Sequence, residues 1–211
     1  METFERAVIC LNGVAPSKST LESVLQPGDC LVAADGGVNW LYEYDVLPYL
    51  LIGDLDSAQK NIIKKMPKES VVKIEDQNST DLEKAIQWAI GKKIKSIVIL
   101  GMEGKRIDHT LANFFLLWRF QKKVRIELIH DDWTAYLLQN TTMKSTAQIG
   151  MTISLIPFSN CSGVTLKGFQ YPLQNSKLEV GQVGVSNVAT KSNIEITVKS
   201  GKIAVMFLSK S

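Results

Sequence analysis

Residues 71–100 read VVKIEDQNSTDLEKAIQWAIGKKIKSIVIL, and this stretch decides the fold. Its ends, residues 71–74 and 96–100, are short apolar runs rich in β-branched side chains, the composition of strands. Between them Thr80 and Glu83 stand at capping-box spacing. Leu82, Ala85, Ile86, Ala89 and Ile90 then form one apolar stripe at helical period. Strand, capped helix and strand in succession point to an α/β sheet.

The same alternation spreads outward from that unit. Further strand candidates lie at 7–11, 30–34, 49–52, 125–129 and 135–138, and their nearly continuous apolar character predicts strands covered on both faces. A second helix is expected after Asp108, with Leu111, Phe114, Phe115 and Trp118 on its buried side. After Asn140 the texture changes: Thr, Ser, Val and Gly punctuate short alternating runs at 152–157, 164–166, 194–198 and 203–208. The expected class is therefore α/β, an open and mostly parallel sheet with helices on both faces, followed by a small all-β sandwich. The expected domains are 1–140 and 141–211.

Composition narrows the partners. Of 211 residues, 45% are hydrophobic, enough for a sizeable core. No apolar stretch approaches the roughly 18 residues that read as a membrane span. The first residues, METFERAVICLNG, run straight into a strand pattern without the cleavage region of a signal peptide. Cys10, Cys30 and Cys161 are far apart and form no C-x-x-C pair, which fits a reducing compartment. A cytoplasmic location is expected. The net charge of +3 is too small to imply a nucleic-acid partner. Residues 1–140 carry 17 basic and 19 acidic side chains, whereas 141–211 carry seven and two. Two domains of different electrostatic character, or two differently solvated surfaces, fit that division.

In an open α/β sheet, ligands collect at the carboxyl ends of the strands. Four polar clusters fall there. Ala34-Asp35-Gly36-Gly37 offers glycines that let backbone approach a ligand, although D-G-G is also the composition of a plain turn. Gly53-Asp54-Leu55-Asp56-Ser57 places two carboxylates one residue apart, and like charges that close call for a hard cation such as Mg²⁺. Its other reading is a helix start capped by Asp56 or Ser57. In Asp76-Gln77-Asn78-Ser79-Thr80-Asp81, Thr80 is a good N-cap. Asp81 in the first turn suits the helix dipole or adds a third oxygen ligand. Lys84, one turn later, has the reach to meet a phosphate. Finally, Gly101-Met102-Glu103-Gly104-Lys105-Arg106-Ile107-Asp108-His109 is a glycine-rich loop with cations and then an acid. It suits a triphosphate held by Arg106, with Asp108 orienting the cation or nucleotide. It is neither a Walker A loop nor a Rossmann fingerprint.

In this order, A-D-G-G, G-D-L-D-S, D-Q-N-S-T-D, G-K-R-I-D-H and Gly184-Val185-Ser186-Asn187 resemble the thiamine pyrophosphokinase family, as does Gly168-Phe169-Gln170-Tyr171-Pro172-Leu173. The resemblance implies an α/β domain that binds ATP and Mg²⁺, and a β-sandwich that binds thiamine. It implies transfer of a pyrophosphoryl group from ATP to thiamine, and a homodimer whose sites lie between the α/β domain of one subunit and the sandwich of the other. By the same resemblance, Asp54, Asp56 and Asp81 hold Mg²⁺ and, with Arg106 and Asp108, make the catalytic set. Asp35, Gly36, Gly37, Gly101, Lys84, Arg106, Asp108 and His109 are expected to face ATP. Gln77, Thr80, Ser186 and Asn187 are expected to face thiamine. Two departures stand out. Asn78 sits where many members have a second aspartate, and the last strand, Ile203-Ala204-Val205-Met206-Phe207, lacks the tryptophan that packs on thiamine in some members. Another Mg²⁺-dependent phosphotransferase or pyrophosphohydrolase, and a non-catalytic thiamine or nucleotide sensor, are the alternatives.

Overall fold

The computed structural model describes residues 3–104, 106–182 and 184–209. The chain divides into two units between His130 and Asp131. In the first, strands alternate with helices: β1 (Arg6–Cys10), α1 (Lys18–Val24), β2 (Cys30–Ala34), α2 (Gly37–Glu43), β3 (Leu50–Gly53), α3 (Lys60–Ile63), β4 (Val71–Lys73), α4 (Asp81–Gly91), β5 (Ser96–Leu100), α5 (Ile107–Leu117) and β6 (Arg125–Ile129). The strand order is β6-β5-β1-β2-β3-β4, and each neighbouring pair is parallel.

Parallel neighbours require returning helices, which cover the faces of the sheet and remove any need for alternation in the strands. Val8, Cys10, Leu31, Ala33, Leu51, Val98 and Leu100 share one core cluster with Leu21, Val38, Leu41 and Ile62 from α1, α2 and α3. The intervening Ala7, Ile9, Val32, Ile52, Ile97 and Ile99 are just as buried, and α4 packs on β1, β2 and β3. Both faces are covered, as the apolar runs predict.

α4 begins where the sequence puts it. Thr80 Oγ1 accepts the Glu83 N–H at 3.2 Å. Only half of the capping box forms, because the Glu83 carboxylate is engaged elsewhere. Both terminal guanidinium nitrogens of Arg119 reach it, at 3.1 and 3.0 Å, and the Gln87 amide donates at 3.0 Å. Thr80→Ala is expected to cost about 1 kcal/mol of stability, read as a lower urea midpoint at unchanged slope. An unchanged midpoint would show that the remaining half-box contributes nothing.

α5 departs from expectation. Trp118, just past its end, is buried, but Leu111 and Phe115 are 54% and 62% exposed. The helix is anchored by its C-terminal end, through Leu117, Trp118 and the following Phe120. Its first turns project, with Ile107 70% exposed. Periodicity finds the apolar stripe correctly but cannot tell which part of it the same chain covers.

The second unit is β-rich: β7 (Trp133–Thr146), β8 (Thr152–Pro157), β9 (Cys161–Lys167), β10 (Leu173–Leu178), β11 (Asn187–Val188) and β12 (Asn193–Leu208). The run 135–138, expected as a strand of the first sheet, belongs to β7 in this unit and pairs antiparallel with β12. The runs 194–198 and 203–208 are the two ends of β12. One end pairs with β9 and the other with β8, while β7 follows both. The interruption at Lys199-Ser200-Gly201 is a bulge opposite Asn140, whose Oδ1 accepts the Gly201 N–H at 2.9 Å. Residues from both ends of β12 enter one core cluster with Ile153, Leu155, Val164 and Leu166. Across the described residues, five parallel pairings stand beside five antiparallel ones. Taken together the sheet structure is therefore mixed: parallel throughout the first unit, and antiparallel throughout the second. Among these residues no helix is long and apolar enough to cross a membrane.

Candidate active site

The strand order of the first unit fixes where a ligand can sit. From β1 the chain steps outward through β2, β3 and β4, then returns to the opposite side of β1 to make β5 and β6. Loops leaving β1 and β5 therefore diverge, and a crevice opens at the carboxyl ends of these neighbours. A cavity of about 560 Å³ occupies that place. Leu11, Asn12 and Gly13 line it after β1, and Gly101, Met102 and Gly104 after β5. Asp35 follows β2; Asp54, Asp56 and Ser57 follow β3. Thr80 and Asp81 enter from the start of α4, and Arg106, His109 and Asn113 from the start of α5.

Local backbone geometry aims the carboxylates. Asp35 has φ 47° and Leu55 has φ 66°. A left-handed leucine stores about 1–3 kcal/mol of strain, here between two aspartates on the cavity wall. The Asp54 carboxylate accepts the Asp56 N–H at 3.2 Å, and the Asp56 carboxylate accepts from Ser57 Oγ at 2.9 Å. α3 starts only at Lys60, with Gln59 as its cap, so Asp56 and Ser57 do not cap it. Gly53 has φ 153°, and a Cβ there would lie 3.0 Å from both Asp81 Oδ1 and Asp35 Cβ. A side chain there would be strained by that backbone and would crowd both acids.

Asp35, Asp54 and Asp81 each bring one carboxylate oxygen within 4.8 Å of the others. Asp35 is buried, and this burial raises its pKa above the usual carboxylate range, with the charge of Asp81 acting in the same direction. The Gly36 and Ser57 N–H groups oppose the rise; the Ser57 N–H donates to Asp35 Oδ1 at 3.2 Å. Three acids this close repel one another unless a cation lies among them. An all-oxygen set of that density suits a hard divalent ion such as Mg²⁺. Arg106, which lines the same cavity, donates to the exposed Asp108 through Nε at 3.2 Å and a terminal nitrogen at 2.6 Å. This pairing lowers the pKa of Asp108 and raises that of Arg106.

The other expected site residues are distributed unevenly. Asp35, Asp54, Asp56, Thr80, Asp81, Gly101, Arg106 and His109 all line the one cavity. Gln77 is exposed in the preceding loop, which Asp76 organises by accepting from the Asn78 N–H at 2.9 Å and Ser79 Oγ at 2.7 Å. Lys84 is buried against Asp81. Gly36 and Gly37 pack inward, where a Cβ would meet the Asn12 side chain and the Cys10 carbonyl. Ser186 and Asn187 lie in the second unit, where Asn187 clamps Tyr171 by accepting its N–H at 3.1 Å and donating to its carbonyl at 2.9 Å. Lys105 lies outside the described residues. Asn12, Gly13 and Asn113 are wall residues that motif reading missed. The first two directly follow a strand, which was the signal available for them.

Residues 21–129, over half of the chain, match the family model described as thiamin pyrophosphokinase, catalytic domain. The chain belongs to the thiamine pyrophosphokinase family. A second model, thiamin pyrophosphokinase, vitamin B1 binding domain, matches residues 140–203. Among curated thiamine pyrophosphokinases, Thiamin pyrophosphokinase 1 of Caenorhabditis elegans is 29% identical over 212 residues, covering 92% of this chain and 86% of its own. Thiamine pyrophosphokinase of Bacillus subtilis (strain 168) is 32% identical over 157 residues, covering 71% and 73%. A crystal structure of thiamine pyrophosphokinase from Bacillus subtilis matches with a TM-score of 0.87 at 25% identity, covering 98% of this chain and 100% of that one.

Proposed function

We propose that this chain transfers the pyrophosphoryl group of ATP to the hydroxyl of thiamine, giving thiamine diphosphate and AMP. The observation that carries the reading is the acidic group Asp35, Asp54 and Asp81 lining a strand-end cavity together with Arg106, in a chain of this family. An anionic triphosphate cannot approach three carboxylates unless a cation separates them.

Asp54 and Asp81 are proposed to hold Mg²⁺ with Asp35, and Asp56 completes the acidic wall. Bound there, the ion would neutralise phosphate oxygens and stabilise charge as the β-phosphorus is attacked. Arg106 adds a second positive group once it leaves Asp108 for phosphate. His109 and the Gly101 backbone bound the triphosphate side. The thiamine hydroxyl forms its bond to the β-phosphorus as the bond to the α-phosphate oxygen breaks, and its proton passes to a carboxylate of the cluster. Positioning supplies much of the acceleration. Gln77 and Thr80 are proposed to border thiamine, with Ser186 and Asn187 contributed by the sandwich, which is our reading of the second unit. On this assignment 1–130 is the ATP and Mg²⁺ domain and 131–211 the thiamine-binding and dimerisation domain, a boundary ten residues earlier than the 140/141 expected from sequence, because β7 belongs with β12.

The deciding assay follows AMP and thiamine diphosphate formed from ATP, thiamine and Mg²⁺. ADP with thiamine monophosphate would overturn pyrophosphoryl transfer. AMP release without thiamine would favour a pyrophosphohydrolase, and binding without turnover a sensor. A cytoplasmic location belongs to the same proposal, supported by Cys10, Cys30 and Cys161, each buried and none in a disulfide.

A homodimer is also proposed, supported by the projecting apolar stripe Ile107, Leu111 and Phe115. Contiguous exposed apolar surface on a soluble protein marks interaction sites. Leu111→Glu is expected to shift the dimer towards monomer in sedimentation velocity, with the circular dichroism spectrum unchanged. A dimer that persists undiminished would remove α5 from the interface.

A further inference from the structure

Lys84 is a charged residue that the fold hides. Its side chain is 3% exposed, and Nζ lies 3.1 Å from Asp81 Oδ1. Lysines are almost never buried unless paired, because an ammonium in the interior without a partner is strongly destabilising. Asp81 is on the cavity wall and Lys84 is not. The ammonium therefore acts on the cavity through Asp81, a different role from the phosphate contact that its position in sequence suggests.

The surroundings make this pairing specific. Gly53 closes on the same oxygen, since a Cβ there would lie 3.0 Å from Asp81 Oδ1. Glu83, the buried acid next to Lys84, is engaged by Arg119 and Gln87, so the two buried charges of α4 have separate partners. Lys84 is also felt beyond Asp81, as one of the smaller influences that lower the pKa of Asp76. In the cluster itself, three carboxylates against one ammonium leave two negative charges, the charge of a single divalent cation.

We propose that Lys84 is a positioning residue: it holds Asp81 in the acidic cluster and supplies the internal positive charge that lets Asp35, Asp54 and Asp81 stand together, balanced by one divalent cation. The proposal rests on the metal-dependent reading of the cavity. It separates two jobs. Lys84 keeps the site assembled before the ion arrives, and the ion completes the neutralisation.

The test compares the unaltered protein with Lys84→Met and Lys84→Arg, without ATP or thiamine. Free Mn²⁺ is followed by electron paramagnetic resonance, and melting temperature is recorded in EDTA and in saturating Mg²⁺. In Lys84→Met the added cation must replace the missing charge, so the gap between the two melting temperatures widens. Mn²⁺ binding then tightens, on the order of tenfold, by linkage to the folded state. In turnover, kcat falls while the KM for ATP changes little. Lys84→Arg, which keeps the charge, returns the gap towards its original size. A melting temperature lowered equally in EDTA and Mg²⁺ would reduce Lys84 to a packing role and overturn the proposal. Unchanged Mn²⁺ binding with a raised KM for ATP would restore the phosphate contact and overturn it as well. If the unaltered protein binds no Mn²⁺, the metal-dependent reading itself fails, and the proposal with it.

Discussion

Asp54→Asn is expected to lower Mg²⁺-dependent turnover by about 10³-fold, the scale of losing one well-placed electrostatic group from a reaction centre. Folding should be almost untouched. Asp54 is only partly buried, and its Oδ1 accepts the Asp56 N–H that shapes the turn. An asparagine oxygen can still accept that bond, so the Asp54-Leu55-Asp56 turn keeps its geometry and loses one negative charge. Thiamine diphosphate formation by chromatography gives the rate, and a thermal melt gives the control. Full activity with an unchanged melt would remove Asp54 from the metal site. Collapse of the melt would instead show that the charge, and not the turn bond, holds this loop.

Gly37→Ala is expected to cost roughly 3 kcal/mol of stability, the upper end of the usual cost of forced overpacking in a rigid interior. A Cβ at Gly37 would lie 2.1 Å from the Cys10 carbonyl oxygen and 2.8 Å from its carbon. Cys10 cannot retreat. It ends β1, which is hydrogen-bonded on one side to β2 and on the other to β5. The strain must therefore displace α2, whose Val38 and Leu41 are completely buried. Urea denaturation reads the loss as a lower midpoint, and the fraction still folded in the cold should keep its KM for ATP within about twofold, since a packing defect leaves binding to folded molecules intact. An unchanged midpoint with a raised KM would mean that Gly37 serves the nucleotide after all.

Much of the first unit is legible in sequence, because a strand buried on both faces has to be apolar throughout and a helix needs a cap where it starts. Residues 96–100 and Thr80 show both constraints. What escapes is whatever depends on the covering partner. Leu111 and Phe115 carry the same stripe as a core helix, and nothing in their spacing reveals that they project. The run 135–138 looks like the strands before it, yet its hydrogen bonds go to a segment more than sixty residues later in the chain. Lys199-Ser200-Gly201 has the composition of a turn, and becomes a bulge only because Asn140 offers its side-chain oxygen to Gly201. At the cavity, acids at strand ends were visible as Asp35, Asp54, Asp56 and Asp81. That Asp35 joins Asp54 and Asp81 most closely follows from parallel neighbours and from the absent side chain of Gly53, both of them facts of three dimensions.

β12 gives the second unit an unusual mechanical economy. One continuous strand carries β9 at its first end and β8 at its second, with β7 alongside throughout. Removing it would strip the main hydrogen-bonding neighbour from both flanks in a single event. Neither flank can therefore loosen alone without straining the other, and amide protons on β8 and on β9 should become accessible to solvent in the same opening step. The region that the family associates with vitamin B1 is thus one cooperative block, tied together by a single thread.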